Sequence, residues 1–292
     1  MPHFAVIDAP SILGLRPTGV ERLPEALKAA GLLAGLKAEY FGRVETLPYN
    51  SRRDPETLIL NADALRDYSV RLAAAVASVL RQGKFPLVLG GDCSNIIGIM
   101  LALRRAGRYG LFFIDGHADF YQPAREPNGE VASMDLAIVS GRGPAVLTNI
   151  DGLKPLVRDD DIVAFGFRDA AQQREYGSQD IRDTPIHVFE FAEVRERGAT
   201  VAAEQAAEIL RQNDVEGFWI HLDADVLDDA VMPAVDYRLA GGLSWDELSA
   251  TLRVLMTSGQ AIGMNVGIFN PAFDRDGSIA RGLVSCLLAG LL

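Results

Sequence analysis

Short apolar runs alternate with longer amphipathic ones along the whole chain. That pattern fits a parallel sheet wrapped by helices better than any other architecture. The runs Phe4–Asp8, Ala38–Phe41, Pro86–Leu89, Leu111–Asp115, Val163–Gly166, Ile186–Phe189, Phe218–Asp223 and Ile262–Ile268 read as strands. Between and after them, Glu21–Ala30, Pro55–Gln82, Ser94–Ala106, Thr200–Gln212, Ser244–Thr257 and Ser278–Leu291 carry helical periodicity. Ser244 followed by Glu247 predicts a capping box, and Gly83 and Gly107 follow basic last turns as helix stops. The 292 residues contain no repeat, low-complexity tract or linker, so residues 1–292 read as a single α/β domain.

The segments His117–Met134 and Val226–Gly242 break this rhythm. Each is long, rich in Pro, Gly, Asp or Asn, and follows the C-terminal end of a predicted strand. In an open parallel sheet that edge is where ligands bind, so the two loops are the places to look for chemistry. A formal charge of −11 excludes a phosphate-backbone binder, which needs a basic face. Cys93 and Cys286 are too few and too far apart for a disulfide framework, which places the protein in a reducing compartment. No basic segment leads an apolar stretch at the N-terminus, and Leu283–Leu292 is too short to span a bilayer. A soluble cytoplasmic protein is expected, with no membrane and no nucleic-acid partner.

Each loop opens on acidic groups. The first begins Leu111-Phe-Phe-Ile-Asp115-Gly-His117-Ala-Asp119, the second Trp219-Ile-His-Leu-Asp223-Ala-Asp225-Val-Leu-Asp228. Alternate positions of extended chain share a side, so Asp115, His117 and Asp119 can converge, as can Asp223 and Asp225. An isolated Asp-x-Asp is ordinarily a turn or a helix cap; two such clusters at two strand ends are far more specific. Four carboxylates packed together need a counter-charge. Carboxylate and imidazole donors suit Mn²⁺, and two ions roughly 3.5–4 Å apart can share and acidify a water.

With these motifs in place, the sequence resembles the ureohydrolase family of arginase, agmatinase and formiminoglutamase. That family's metal motifs run Gly-Gly-Asp-His-Ser, Asp-Ala-His-x-Asp and Asp-x-Asp-x-x-Asp-Pro. Here they read Gly90-Gly-Asp-Cys93-Ser94, Asp115-Gly-His-Ala-Asp119 and Asp223-Ala-Asp-Val-Leu-Asp228-Asp229. Thr18-Gly-Val-Glu21 and Asn270-Pro271 extend the likeness over nearly the whole chain. The resemblance implies a three-layer α/β/α sandwich on an eight-stranded parallel sheet, and a hydrolase of linear C–N bonds assembled as a trimer or hexamer. It implies two divalent ions, Mn²⁺ first. One would take Asp115, His117, Asp223 and Asp225; the other would take position 93, Asp115, Asp119 and Asp223. Asp119 would also orient the attacking water.

The chain departs from the family at telling positions. Cys93 replaces a ligating histidine; as a thiolate ligand it admits Zn²⁺, and as a small buried hydrophobe it would leave that site weak or empty; a branch acting on N-hydroxyguanidines also carries cysteine there. Ile268 stands where arginine and agmatine hydrolases have a glutamate for the guanidinium group, and an unpaired buried cation is costly. Ala132-Ser133-Met134 lacks the arginases' histidine, and Arg168-Asp169-Ala170-Ala171 keeps one acidic residue of two. The expected activity is hydrolysis of a guanidino, amidino or related amide compound other than arginine, with Asp169 contacting the substrate. Two alternatives stand beside it. One is a single-zinc amidohydrolase like the deacetylases of this fold; the other is a metal-binding protein without catalysis. His221 lies on the face of Asp223 but deeper, as a core histidine or as a support for a ligand. Gly90-Gly91 lacks the continuation of a nucleotide loop.

Overall fold

A computed structural model describes residues 2–292. Its eight strands are β1 (Phe4–Ala9), β2 (Glu39–Arg43), β3 (Phe85–Gly90), β4 (Gly110–Ile114), β5 (Ile162–Phe165), β6 (His187–Phe189), β7 (Phe218–Asp223) and β8 (Ala261–Gly267). All pair in parallel, in the order β2-β1-β3-β8-β7-β4-β5-β6. The expected eight-stranded α/β sandwich is therefore present.

Eleven α-helices connect the strands among the described residues. They are α1 (Leu23–Ala29), α2 (Leu32–Leu36), α3 (Ala62–Arg81), α4 (Asn95–Ala106), α5 (Asp135–Val139), α6 (Ala145–Thr148), α7 (Ala170–Glu175), α8 (Phe191–Arg197), α9 (Ala199–Gln212), α10 (Trp245–Thr257) and α11 (Ser278–Leu291). Period-two alternation sends Phe4, Val6, Leu87, Phe112 and Ile220 into one core with α1, α9, α10 and α11. Ala5, Ile7, Val88, Phe113 and Trp219 enter the other with α3, α4 and α5. Both faces are covered, which is why the strands read as continuous apolar runs.

The capping box of Ser244 and Glu247 forms, and α10 starts where it predicts. The helix expected from Pro55 instead begins at Ala62. Asp54 accepts from the Thr57 amide and hydroxyl to close a turn, and Leu58 and Asn61 take left-handed φ values that no helix accommodates. From there α3 buries Leu65, Tyr68, Leu72, Val76 and Val79 along one stripe.

The chain winds outward from β1 to β3, then jumps to β4 and leaves a gap that β8 and β7 later fill. The carboxyl ends of β3, β4, β7 and β8 meet at this interruption, the position where a doubly wound sheet opens a crevice. Both irregular loops leave from it.

Candidate metal centre

Asp115 follows β4, Asp223 ends β7, and Cys93 lies in the turn between β3 and α4. The β4–β7 register pairs Ile114 with Leu222, so both acidic tips leave the sheet at one level. Asp223 Oδ1 accepts the Asp225 amide at 2.7 Å, and Asp115 Oδ1 accepts the His117 amide at 2.6 Å. These two turns fold each motif back so that alternate side chains converge. Across the gap, Gly116 donates its amide to Asp225 Oδ1 at 3.0 Å and ties one motif to the other.

Two groups of donor atoms result. Asp115, His117 and Asp225 form one, Cys93, Asp115 and Asp223 the other, each with its atoms within 4.8 Å of one another. His117 Nδ1 is 2.8 Å from Asp225 Oδ2, and Cys93 Sγ donates to Asp223 Oδ2 at 2.9 Å. Asp119 belongs to neither group; it sits at φ 45° and lines the cleft above them. Asp92 is spent on the scaffold. It accepts from Gly14 and from the amide and hydroxyl of Ser94, which pins the turn that presents Cys93.

Burial dominates the electrostatics. It pushes Asp115, Asp119 and Asp223 far above the usual carboxylate range, and mutual repulsion adds to it. The Cys93 thiol is raised by burial and then by Asp223. Asp225 moves the other way: burial opposes its charge, but His117 beside it overcomes the penalty. His117 is likewise disfavoured by burial yet raised to about 9 by Asp225. Among the described residues, Asp115 Oδ2 is buried with no hydrogen-bond partner. A knot of carboxylates, an imidazole and a thiol, too buried to ionise alone and under-supplied with donors, suits divalent cations.

Asp169, expected beside the substrate, is turned under the loop. Its oxygens accept from the Ala118 amide at 3.0 Å and from Gln173 Nε2 at 2.9 Å, and it does not line the cleft. Ile268 does line it, buried at the end of β8 with φ 68°. Left-handed backbone in a β-branched residue is strained by about 1–3 kcal/mol, and such strain collects at working sites. The cleft has a volume of about 160 Å³, which suits a small molecule. Its lining also includes Glu126, Glu130 and Tyr237, none of which stood out in the sequence. Tyr237 donates to Glu130, and Arg16 lies 3.4 Å from the same carboxylate.

His221 is wholly buried and stacked on Phe113, with 4.3 Å between ring centroids. Asn265 Nδ2 reaches its Nδ1 at 2.9 Å, while Nε2 has no partner among the described residues. Burial lowers its pKa to about 3, so the ring is neutral.

Comparison with known proteins decides the family. The arginase family model matches residues 3–290. The chain belongs to the arginase family. Arginases of Staphylococcus aureus and Brevibacillus brevis are 29% and 30% identical to it, over 96% and 98% of this chain and 94% and 96% of their own. Arginase from Bacillus caldovelox superimposes with a TM-score of 0.88 at 27% identity, covering 100% of this chain and 98% of that one. As an arginase-family protein it is a metal-dependent hydrolase of C–N bonds in linear amidines. Among the described residues no helix is long and apolar enough to cross a membrane.

Proposed function

We propose that this arginase-family enzyme hydrolyses a guanidino or amidino compound other than free arginine, N-hydroxyguanidines included. The observation that carries this reading is Ile268, a buried apolar side chain in the wall of the cleft that His117, Asp119, Asp223 and Asp225 also line. A guanidinium cation pressed against it would lose water without gaining a partner there. A neutral or more weakly basic group, an N-hydroxyguanidine among them, tolerates that wall better.

Two divalent ions are expected, Mn²⁺ or, because of the thiol, Zn²⁺, held by Asp115, His117, Asp223 and Asp225 on one side and by Cys93, Asp115, Asp119 and Asp223 on the other. When bound, they supply Lewis acidity and lower the pKa of water. Asp119, buried and facing the cleft, holds the proton released by the attacking water. Asp169 positions the loop between His117 and Asp119 by fixing the Ala118 amide. Glu130, gripped by Tyr237 and Arg16, orients the far end of the substrate. Asp119 standing apart from both donor groups favours a second reading, a single Zn²⁺ at Asp115, His117, Asp223 and Asp225 acting on an amide. The expected homo-oligomer, trimer or hexamer, rests on the family resemblance, and the expected cytoplasmic residence is supported by the two free cysteines.

Urea and ammonia release should be screened over arginine, agmatine, guanidinobutyrate, N-hydroxyarginine and formiminoglutamate, with protein loaded with Mn²⁺ or Zn²⁺. A non-arginine substrate turned over at least tenfold better than arginine supports the proposal. Silence across the panel from fully loaded protein sinks it, and one ion per chain in elemental analysis selects the second reading.

A further inference from the structure

Close to Cys93 lies a carboxylate that none of the three metal motifs contains. Asp135 opens α5, just past the loop that leaves β4. Its side chain has no solvent exposure, and neither oxygen meets a hydrogen-bond partner among the described residues. A buried carboxylate with both oxygens idle is a poor structural element, because folding strips its water and returns nothing.

Asp135, Cys93 and His221 offer donor atoms within 4.8 Å of one another, and Cys93 also belongs to the group with Asp115 and Asp223. His221 Nε2 lies 3.9 Å from Asp115 Oδ2, and both atoms lack partners. Idle atoms thus gather around Cys93. Donors bound to one ion at roughly 2.0–2.3 Å stand at most about twice that distance apart. The spacing of Cys93 and Asp135 suits a shared cation, and without one both Asp135 oxygens stay without a partner among the described residues.

The relay behind His221 decides its part. Trp219 Nε1 donates to Asn265 Oδ1 at 2.8 Å, and Asn265 Nδ2 donates to His221 Nδ1 at 2.9 Å. A neutral ring that accepts at Nδ1 carries its proton on Nε2. His221 is therefore a donor toward this group, and the ligand is the carboxylate.

We propose that Asp135 ligates the ion held beside Cys93, supplying an oxygen donor where the family motif has imidazole, with the His221 Nε2–H turned toward the carboxylates around that ion. The proposal rests on the metal-centre reading above. It makes Cys93 and Asp135 a paired replacement: the thiol occupies the histidine's place, and the carboxylate from α5 supplies the hard donor that keeps the site able to hold Mn²⁺.

The test compares wild type with Asp135→Asn, which keeps the shape and removes the anionic donor. Mn²⁺ and Zn²⁺ bound per chain are measured by equilibrium dialysis with elemental analysis, and melting temperature is recorded with and without metal. Expected are one ion retained and a second weakened at least tenfold. The metal-free variant should melt above metal-free wild type, since a repelling buried carboxylate is gone. His221→Phe, which keeps an aromatic ring but lacks the N–H, should weaken the same ion less. Two ions held by Asp135→Asn with unchanged affinity would overturn the proposal and leave the metal centre standing. Failure of wild type itself to bind ions would instead remove the metal centre. Should the variant not fold, wild-type crystals grown with zinc give the answer directly. An anomalous peak at roughly 2.0–2.2 Å from an Asp135 oxygen supports it, and a peak ligated by Cys93 with Asp135 out of reach overturns it.

Discussion

His117 Nδ1 and Asp225 Oδ2 stand 2.8 Å apart, an attractive pair set among carboxylates that repel one another. The pair lifts the His117 pKa to about 9, against an ordinary 6.5, despite the opposing pull of burial. In metal-free protein its stabilisation is complete below pH 6.5 and is lost as pH rises through about 9. The raised pKa values of Asp115, Asp119 and Asp223 act in the same direction. Folded protein keeps protons that the unfolded chain releases above about pH 3.8, so stability falls as pH climbs. Metal-free protein should melt at progressively higher temperature as pH drops from about 9 to about 5. Metal-loaded protein should show the reverse, because protons compete with the ions. Calorimetry with and without chelator checks both; a metal-free melting point that falls on acidification contradicts the account.

Asp169 supports the loop from behind, through Ala118 and Gln173. Replacing it with Ala should lower kcat by roughly 10–100-fold and loosen the metals, with little change in KM. Asp169→Asn, which keeps an acceptor for the Ala118 amide, should recover most of the loss. A KM increase alone, with kcat steady, would mean that Asp169 touches the substrate after all.

Ile268 occupies left-handed backbone at the cleft wall. Ile268→Glu removes the β-branch that such backbone resists and offers a partner to a guanidinium group. Arginine hydrolysis should rise at least tenfold in kcat/KM, roughly the 1.4 kcal/mol of one modest charge-assisted contact. Turnover of the native substrate should fall. Steady-state kinetics on both substrates decides, and an arginine rate unmoved by the change would show that position 268 does not set specificity.

The inner strands of the sheet were legible because they are buried on both faces and so read as plain apolar runs, unlike the partly exposed edge strands β2 and β6, and the acidic tips were legible because each ends such a run. What escaped notice shares a different trait. Asp135 opens a short helix, where an acidic residue reads as an ordinary first-turn charge; only the fold brings it close to Cys93 from another element. Glu130 and Tyr237 are more than a hundred positions apart and meet only across the two loops. The start of α3 departs from the helical periodicity because Asp54 closes a turn with Thr57, a local competition that periodicity does not register. His221 fits both of its expected roles in part: buried and stacked like a core residue, it still leaves Nε2 open toward the carboxylates.

Gly116 separates two of the expected ligands, and the family motif places alanine there. In this chain the substitution is blocked. A Cβ at position 116 would lie 2.6 Å from Arg168 Nη1, 2.6 Å from the Asp225 carbonyl oxygen and 2.8 Å from Asp225 Oδ1. Arg168 is held across the gap by the Asp225 carbonyl at 2.9 Å and by Leu239 at 3.2 Å. It cannot swing away without releasing the second acidic loop. Gly116→Ala, although it restores the motif, should destabilise the fold by about 1–3 kcal/mol. It should also strain the 3.0 Å bond from the Gly116 amide to Asp225 Oδ1, weakening the metal on the His117 side. Adding Arg168→Ala relieves the flexible contact but not the backbone oxygen, so the double variant should recover only part of the melting temperature. Thermal unfolding and metal content of both variants test this, and wild-type values for Gly116→Ala would show that the two loops can part more easily than their packing indicates.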